Sequence, residues 1–218
     1  MIGFTPTDPP TEFEEKCRKP GLAWLEKHPK PTQKDKGKTW RPRDYWSPFR
    51  GDLAKAFRNL CSIAAMHEPQ GTVDHFVSCD SDPTRAYDWS NYRFVSAWLN
   101  SSKNDIDGLL DPFHVGADWF EISLPDLQLS LTSHVPAEYV AIAQYTLETL
   151  PIRDDERIIR QRRVWYQLYQ SGALPLDGLR QLAPLIARAV EKQIQAAPKP
   201  APSDPTDTTE HTTEHTTG

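Results

Sequence analysis

The chain has 218 residues and a net charge of −5; 38% of the residues are hydrophobic and 25% charged. That fits one globular domain with an appendage. No apolar run approaches the ~18–20 residues that cross a bilayer. The opening MIGFTPTDPP lacks the basic and apolar regions of a signal peptide. Three scattered cysteines, Cys17, Cys61 and Cys79, form no CxxC pair and support neither a disulfide framework nor a zinc ribbon. A cytoplasmic setting with no membrane partner is the expectation.

In chain order, residues 1–11 are rich in Pro and Thr and predict an extended arm. Phe13 to Glu26 predicts a short helix with Phe13, Cys17, Leu22, Trp24 and Leu25 inward, and Pro29 to Gly37 a flexible basic loop. Trp40 to Phe49 mixes aromatics with Pro and Arg and predicts ordered, irregular chain. Asp52 to Met66 carries apolar residues at helical spacing, with Asp52 placed to cap the start. Gly71 to Val77 favours strand, and Asp80-Ser81-Asp82-Pro83 is a turn. A second strand is sought near Ala86–Trp89, and Asn91 to Lys103 predicts a helix with Phe94, Val95, Trp98 and Leu99 on its buried side. Trp119 to Leu131 alternates as a hairpin would. Helices follow over Pro136 to Leu150, Asp154 to Tyr169 and Pro175 to Ile194. Residues 197–218, with a short HTTE repeat, are poor in apolar residues and predict disorder. The fold class is α+β, a mostly helical single domain. Its parts are an N-terminal arm and helical region (1–70), a strand–strand–helix core (71–115), a hairpin and helical region (116–196) and a tail (197–218).

The acidic net charge conceals basic patches. Lys16 to Arg58 holds about thirteen Lys and Arg against about four Asp and Glu. A second cluster comprises Arg153, Arg157, Arg160, Arg162 and Arg163. Such patches suit phosphate binding, with Arg160, Arg162, Arg163, Arg41 and Arg43 as the nucleic-acid-binding candidates. Their bland reading is a solvated face. Trp40 and Trp46, interleaved with Arg41, Arg43 and Arg50, have a base-stacking reading and a packing one.

The chemistry concentrates in three fragments: Val73-Asp74-His75-Phe76, Trp89-Ser90-Asn91-Tyr92 and Asn100-Ser101-Ser102-Lys103. Adjacent residues on a strand point to opposite faces, so Asp74 is free to hold a metal while His75 remains a base. A neutral imidazole accepts a proton from water near pH 7. Asp74 and Asn100 offer hard oxygens, which favour Mg²⁺ or Mn²⁺ over Zn²⁺. Lys103 lies almost one helical turn beyond Asn100, on the same side, where it either contacts phosphate or is merely exposed. Asn91 alone reads as a helix N-cap. His114 with Asp111, and His67 with Glu68, are lesser candidates.

These fragments resemble the HNH, or His-Me finger, nucleases, whose signature is Asp-His on a hairpin, Asn in the following loop, and His or Asn on a helix. Residues 71–103 match the variant that ends in Asn, also used in RNA-guided CRISPR nucleases. The resemblance implies a ββα-metal site in which His75 is the base, Asp74 and Asn100 hold Mg²⁺ (or Mn²⁺), Asn91 pins the loop that orients His75, and Lys103 assists with phosphate charge. It implies a DNA endonuclease. The layout of FEEKCRKPGLAWL, the run to Asp111-Pro112-Phe113 and the Arg-rich C-terminal helices is similar to small stand-alone HNH proteins of anti-phage and toxin loci, which implies a defence effector with a partner ATPase or sensor. Two features depart from the family: the two CxxC pairs that many members carry are absent, and Ser78 and Cys79 stand where related proteins carry Pro-Lys. Those departures leave open an inert HNH-derived module that binds nucleic acid or a protein partner. An RNA-directed nuclease is a further alternative, since nothing in the sequence reads a 2′-hydroxyl.

Overall fold

The computed structural model describes residues 1–31 and 40–196. Most of the expected basic loop at 29–37 and the whole expected disordered tail at 197–218 lie outside those residues. The architecture is mixed, with helices and, among the described residues, two small antiparallel sheets.

The N-terminal segment is extended but it is not a free arm. Met1, Ile2 and Phe4 are buried. Phe4 N–H donates to the Pro112 carbonyl at 3.0 Å, and its ring lies 4.8 Å from that of Phe57. Apolar side chains at this end hold the extended arm against the core. A π-helical turn, Glu14–Arg18, leads into α1, Lys19–Lys27. Phe13 and Cys17 are buried as the spacing predicts, while Leu22, Trp24 and Leu25 are half-buried. Gly21 lets α1 press against the ring of Tyr87, which a Cβ would strike.

The helix expected over Asp52 to Met66 is cut short. The observed α2 is Arg50–Ala56, with Asp52 inside its first turn rather than capping it. Arg58 and Asn59 both have φ of 55°, a left-handed pair that ends a helix. Residues 60–66 are buried on every side, so their apolar content reflects core and not one face of a helix. Leu60 instead bridges to His67.

Strand β1, Thr72–His75, pairs antiparallel with β2, Tyr92–Val95, in the register Thr72↔Val95, Asp74↔Arg93 and His75↔Tyr92. The second strand is therefore not at Ala86–Trp89, and the helix expected from Asn91 begins later. Ser96, at ψ 143°, turns the chain from β2 into α3, Ala97–Lys103. This helix crosses β1 and completes a strand–strand–helix unit.

The hairpin expected over Trp119 to Leu131 is β3, Phe120–Ile122, with β4, Leu129–Leu131. Helices α4, Ala137–Thr149, and α5, Glu156–Gln170, lie close to their expected limits. The single helix expected over Pro175 to Ile194 is two, α6, Leu176–Leu182, and α7, Pro184–Ala196. Pro184 cannot continue a helix from Ala183 but suits the first turn of the next. Helix α7 packs on β3, where Lys192 pairs with Glu121 at 2.8 Å. Among the described residues, no helix is long and apolar enough to cross a membrane.

Arg162 corrects the expected phosphate-binding cluster. It is fully buried, and its guanidinium donates to the carbonyls of Leu127 (2.8 Å), Arg153 (3.0 Å) and Ile152 (2.6 Å). It staples α5 to the β3–β4 turn and to the link from α4, and it is unavailable to phosphate. Arg160 is exposed and paired with Glu156, and Arg163 is exposed. Arg162→Ala strands three buried carbonyls and should lower stability by about 3 kcal/mol, whereas Arg163→Ala should change it by less than about 0.5 kcal/mol. Urea denaturation of the two variants checks this contrast.

Candidate functional site

The alternation of β1 sorts the site residues onto two faces. Thr72, Asp74 and Phe76 face one way, and Val73 and His75 the other. Helix α3 covers the first face. Asn100 Nδ2 donates to Thr72 Oγ1 at 2.9 Å and to the Val73 carbonyl at 3.3 Å. Lys103 Nζ donates to Asp74 Oδ1 at 3.0 Å and to the His75 carbonyl at 2.9 Å. Three residues of helix rise ~4.5 Å and two of strand ~6.6 Å. The long Lys103 side chain takes up the difference.

Lys103 is therefore not the exposed phosphate contact that the sequence suggested. It is 1% exposed and Asp74 3%. Burial pushes the Asp74 carboxyl above its ordinary value, and the Lys103 ammonium opposes that. Across the ladder from Asp74, Arg93 is also buried. Its Nε and Nη2 reach both carboxylate oxygens of Asp111, at 2.9 and 2.6 Å, and its guanidinium lies 3.7 Å from the centre of the Phe113 ring. Asp111 is committed to that pair and to Phe113 N–H, so it does not act with His114, which is exposed. A cavity of about 10 Å³, room for roughly one water, is lined in part by Asp74, Arg93, Lys103 and Ser62. Ser62 Oγ is buried with no hydrogen-bond partner among the described residues.

On the other face, His75 is half-buried. Its ring stands edge-on to Trp46 (centroids 4.6 Å apart) and Tyr92 (5.2 Å). Its Nε2 lies 2.9 Å from the Ala86 carbonyl, which also accepts from Tyr92 OH at 2.8 Å. A carbonyl accepts only, which assigns the proton to Nε2 and leaves the lone pair on Nδ1. Burial pushes the imidazole pKa down to about 4, against the pull of the Ala86 bond. The ring is neutral at pH 7.

Asn91 precedes a strand, so it caps no helix. It is fully buried. Its Oδ1 accepts from Val77 N–H at 2.8 Å, and its Nδ2 donates to the carbonyls of Val77 (3.0 Å) and Arg85 (3.2 Å). It thereby ties the chain just after His75 to the chain just before Ala86, whose carbonyl holds the imidazole. Past that tie, Asp107 accepts from Ser78 N–H at 3.0 Å and from Ser81 Oγ. Burial alone would raise the Asp107 carboxyl, but these bonds together bring it below its ordinary value. Ser78 thus anchors this loop.

Arg93 and Asp107 went unnoticed in the sequence, and Trp46, read there as a base-stacking or packing residue, packs against His75. A charged Arg93 inside the apolar run Tyr92–Val95 was the available signal, since such a residue is buried only with a partner. Arg41 and Arg43 are exposed. The Arg43 carbonyl accepts from Tyr87 OH at 2.8 Å, and the segment that carries both arginines ends at Trp46, against His75. His67 instead packs edge-on to Trp165.

The oxygen donors suit a hard divalent cation. With Asn100 Nδ2 turned to β1, its Oδ1 is the atom left for a ligand, and Asp74 lies on the same face of β1. Among the described residues no group of three or more His, Cys, Asp or Glu gathers. No protein-family model matches the chain, and no curated protein matches it.

The depressed pKa of His75 links the site to stability. The unfolded imidazole titrates near its ordinary value of 6.5 and the folded one near 4. Between those values the unfolded state binds more protons, so stability is full above about pH 6.5 and declines as pH falls toward 4. His75→Gln removes the titrating group. The stability advantage of wild type over this variant, from urea midpoints, should shrink as pH drops from 6.5 to 4; an advantage that stayed constant would show that His75 titrates normally.

Proposed function

We propose that this protein is a divalent-metal-dependent endonuclease of the HNH type, hydrolysing phosphodiester bonds of DNA. The observation that carries the reading is the gathering of Asp74, His75, Asn91, Asn100 and Lys103 on one strand–strand–helix unit, each with a distinct hydrogen-bonding assignment. In this reading His75, neutral and with its lone pair on Nδ1, takes the proton of the attacking water. The Ala86 carbonyl holds Nε2–H and fixes the tautomer, and Asn91 holds the loop that presents that carbonyl. Asp74 and Asn100 Oδ1 would hold Mg²⁺ or Mn²⁺. Bound there, the metal supplies charge neutralisation of the scissile phosphate and of the departing oxygen. Arg41 and Arg43 supply phosphate contacts on the segment that reaches His75. The setting in anti-phage defence, with a partner ATPase or sensor, rests on sequence layout alone.

One observation favours a second reading. Asp74 is already neutralised by Lys103, which suits an HNH-derived module that binds nucleic acid without cutting it. Plasmid nicking separates the two. Wild type with Mg²⁺ or Mn²⁺ should nick supercoiled DNA, EDTA should abolish nicking, and His75→Ala should slow it by ~10²–10⁴-fold with DNA affinity unchanged. DNA binding with no nicking under any metal would favour the inert module, and a parallel RNA substrate tests the remaining alternative.

The grip has its own test. Arg41→Gln and Arg43→Gln should each weaken DNA binding across sequences and reduce the slope of log affinity against log salt by about 0.9. An unchanged slope would mean that the segment faces something other than phosphate.

A further inference from the structure

On the face of β1 beneath α3 each buried carboxylate already has a cation before any metal arrives, and the carboxylate of Asp107, held by Ser78 and Ser81, lies within electrostatic reach. Asp74 pairs with Lys103, with side chains 4% and 2% exposed, and Asp111 pairs with Arg93, 13% and 4% exposed. Two carboxylates meet two cations. A dication added to this set leaves an excess of positive charge in a region that water screens poorly. The carboxylate oxygen facing Lys103 is also occupied. An ammonium 3.0 Å from Asp74 Oδ1 stands within the space that a metal and its water ligands at that oxygen would take, since a hard dication binds oxygen at about 2.0–2.1 Å.

We propose that Lys103 is the resident counter-cation of Asp74, and that a divalent cation binds only as it displaces this ammonium, which makes metal binding depend on an added phosphate. The proposal rests on the metal-dependent reading above. Three observations carry it. Lys103 bridges Asp74 and the His75 carbonyl, so one ammonium holds both the candidate ligand and the backbone of the candidate base. Lys103 ends α3, and Asn104 beyond it has φ of 44°, so the lysine sits at a helix end and not in its rigid middle. The water-sized cavity that Lys103 and Asp74 share with the unpartnered Ser62 hydroxyl gives a displaced ammonium both room and an acceptor. A phosphodiester brings one negative charge and offsets half of what the dication adds. In the free protein the site then carries little idle metal.

The test is Mn²⁺ binding to the full chain, followed by electron paramagnetic resonance without nucleic acid. Wild type should bind weakly. Lys103→Met, similar in length but uncharged, should bind at least tenfold tighter, and the gain should disappear in the double variant Asp74→Asn, Lys103→Met. Removing Lys103 leaves a buried carboxylate alone, so the folding of this variant is checked by thermal melting. If it does not fold, wild type decides: a phosphorothioate duplex that resists cleavage should tighten Mn²⁺ binding at least tenfold. Affinity that is unchanged or weaker in folded Lys103→Met, or for wild type that ignores the duplex where the variant is unfolded, overturns the proposal. If Asp74-dependent Mn²⁺ binding and plasmid nicking survive that result, the nuclease reading stands without it. No Mn²⁺ binding by any form, with or without duplex, removes both.

Discussion

The site depends on one ammonium group. Lys103 Nζ divides its donors between the Asp74 carboxylate and the His75 carbonyl, and so joins the end of α3 to the two adjacent residues that carry the proposed chemistry. A buried ion pair gives little net stability relative to a well-packed apolar pair, but removing one partner costs about 3–5 kcal/mol because the other charge is left unpaired. The pair therefore sets geometry more than it adds stability. Helix α3 is short, and it is the side-chain bonds from Asn100 and Lys103, one turn apart, that fix it against β1 at two points. Arg93 does the same for β2. Its fork on Asp111, between the rings of Phe76 and Phe113, pins the strand to the segment that follows α3.

Where a hydrophobic pattern had one clear period, the sequence was legible. Helices α4 and α5 and the β3–β4 hairpin fall close to their expected limits. Strand β2 was not legible for a physical reason. All four of its residues are buried, so it shows no alternation. Phe94, Val95, Trp98 and Leu99 meanwhile satisfy helical spacing across the boundary at Ser96, and the strand was absorbed into the helix that follows. The same ambiguity misled at residues 60–66, where burial on all sides imitates a helical stripe. An apolar run reports burial; only its interruptions report geometry, and here those were the left-handed Arg58 and Asn59 and the turn at Ser96.

For the site, residue types and spacing located the side chains but did not reveal their partners. Asp74, Asn91 and Asn100 were singled out by type and spacing, yet no spacing rule shows that Lys103 turns inward to Asp74. Charge counting failed similarly at Arg162. A run of arginines predicts a positive surface only if each reaches the surface, and a helix that buries one face draws in whichever residue falls on it. Ile158 and Arg162, one turn apart, are both fully buried on α5, while Arg160 and Arg163 are not.

The two faces of β1 treat charge in opposite ways, and both depend on chain outside the strand–strand–helix unit. On the α3 face two carboxylates are kept in the interior by cationic partners, Asp74 by Lys103 and Asp111 by Arg93. On the other face the imidazole is kept uncharged by burial: Trp46 and Tyr92 strip its water, which outweighs the bond its Nε2–H donates to the Ala86 carbonyl. Trp46 belongs to the N-terminal region, and Trp89, beside Tyr92, is held in turn by the Thr7 carbonyl at 3.1 Å. A boundary at residue 70 thus divides the sequence but not the site, because the protonation state of His75 is set by side chains from both sides of it. An isolated strand–strand–helix unit would keep the Asp74–Lys103 pair and lose the wall that holds His75 neutral.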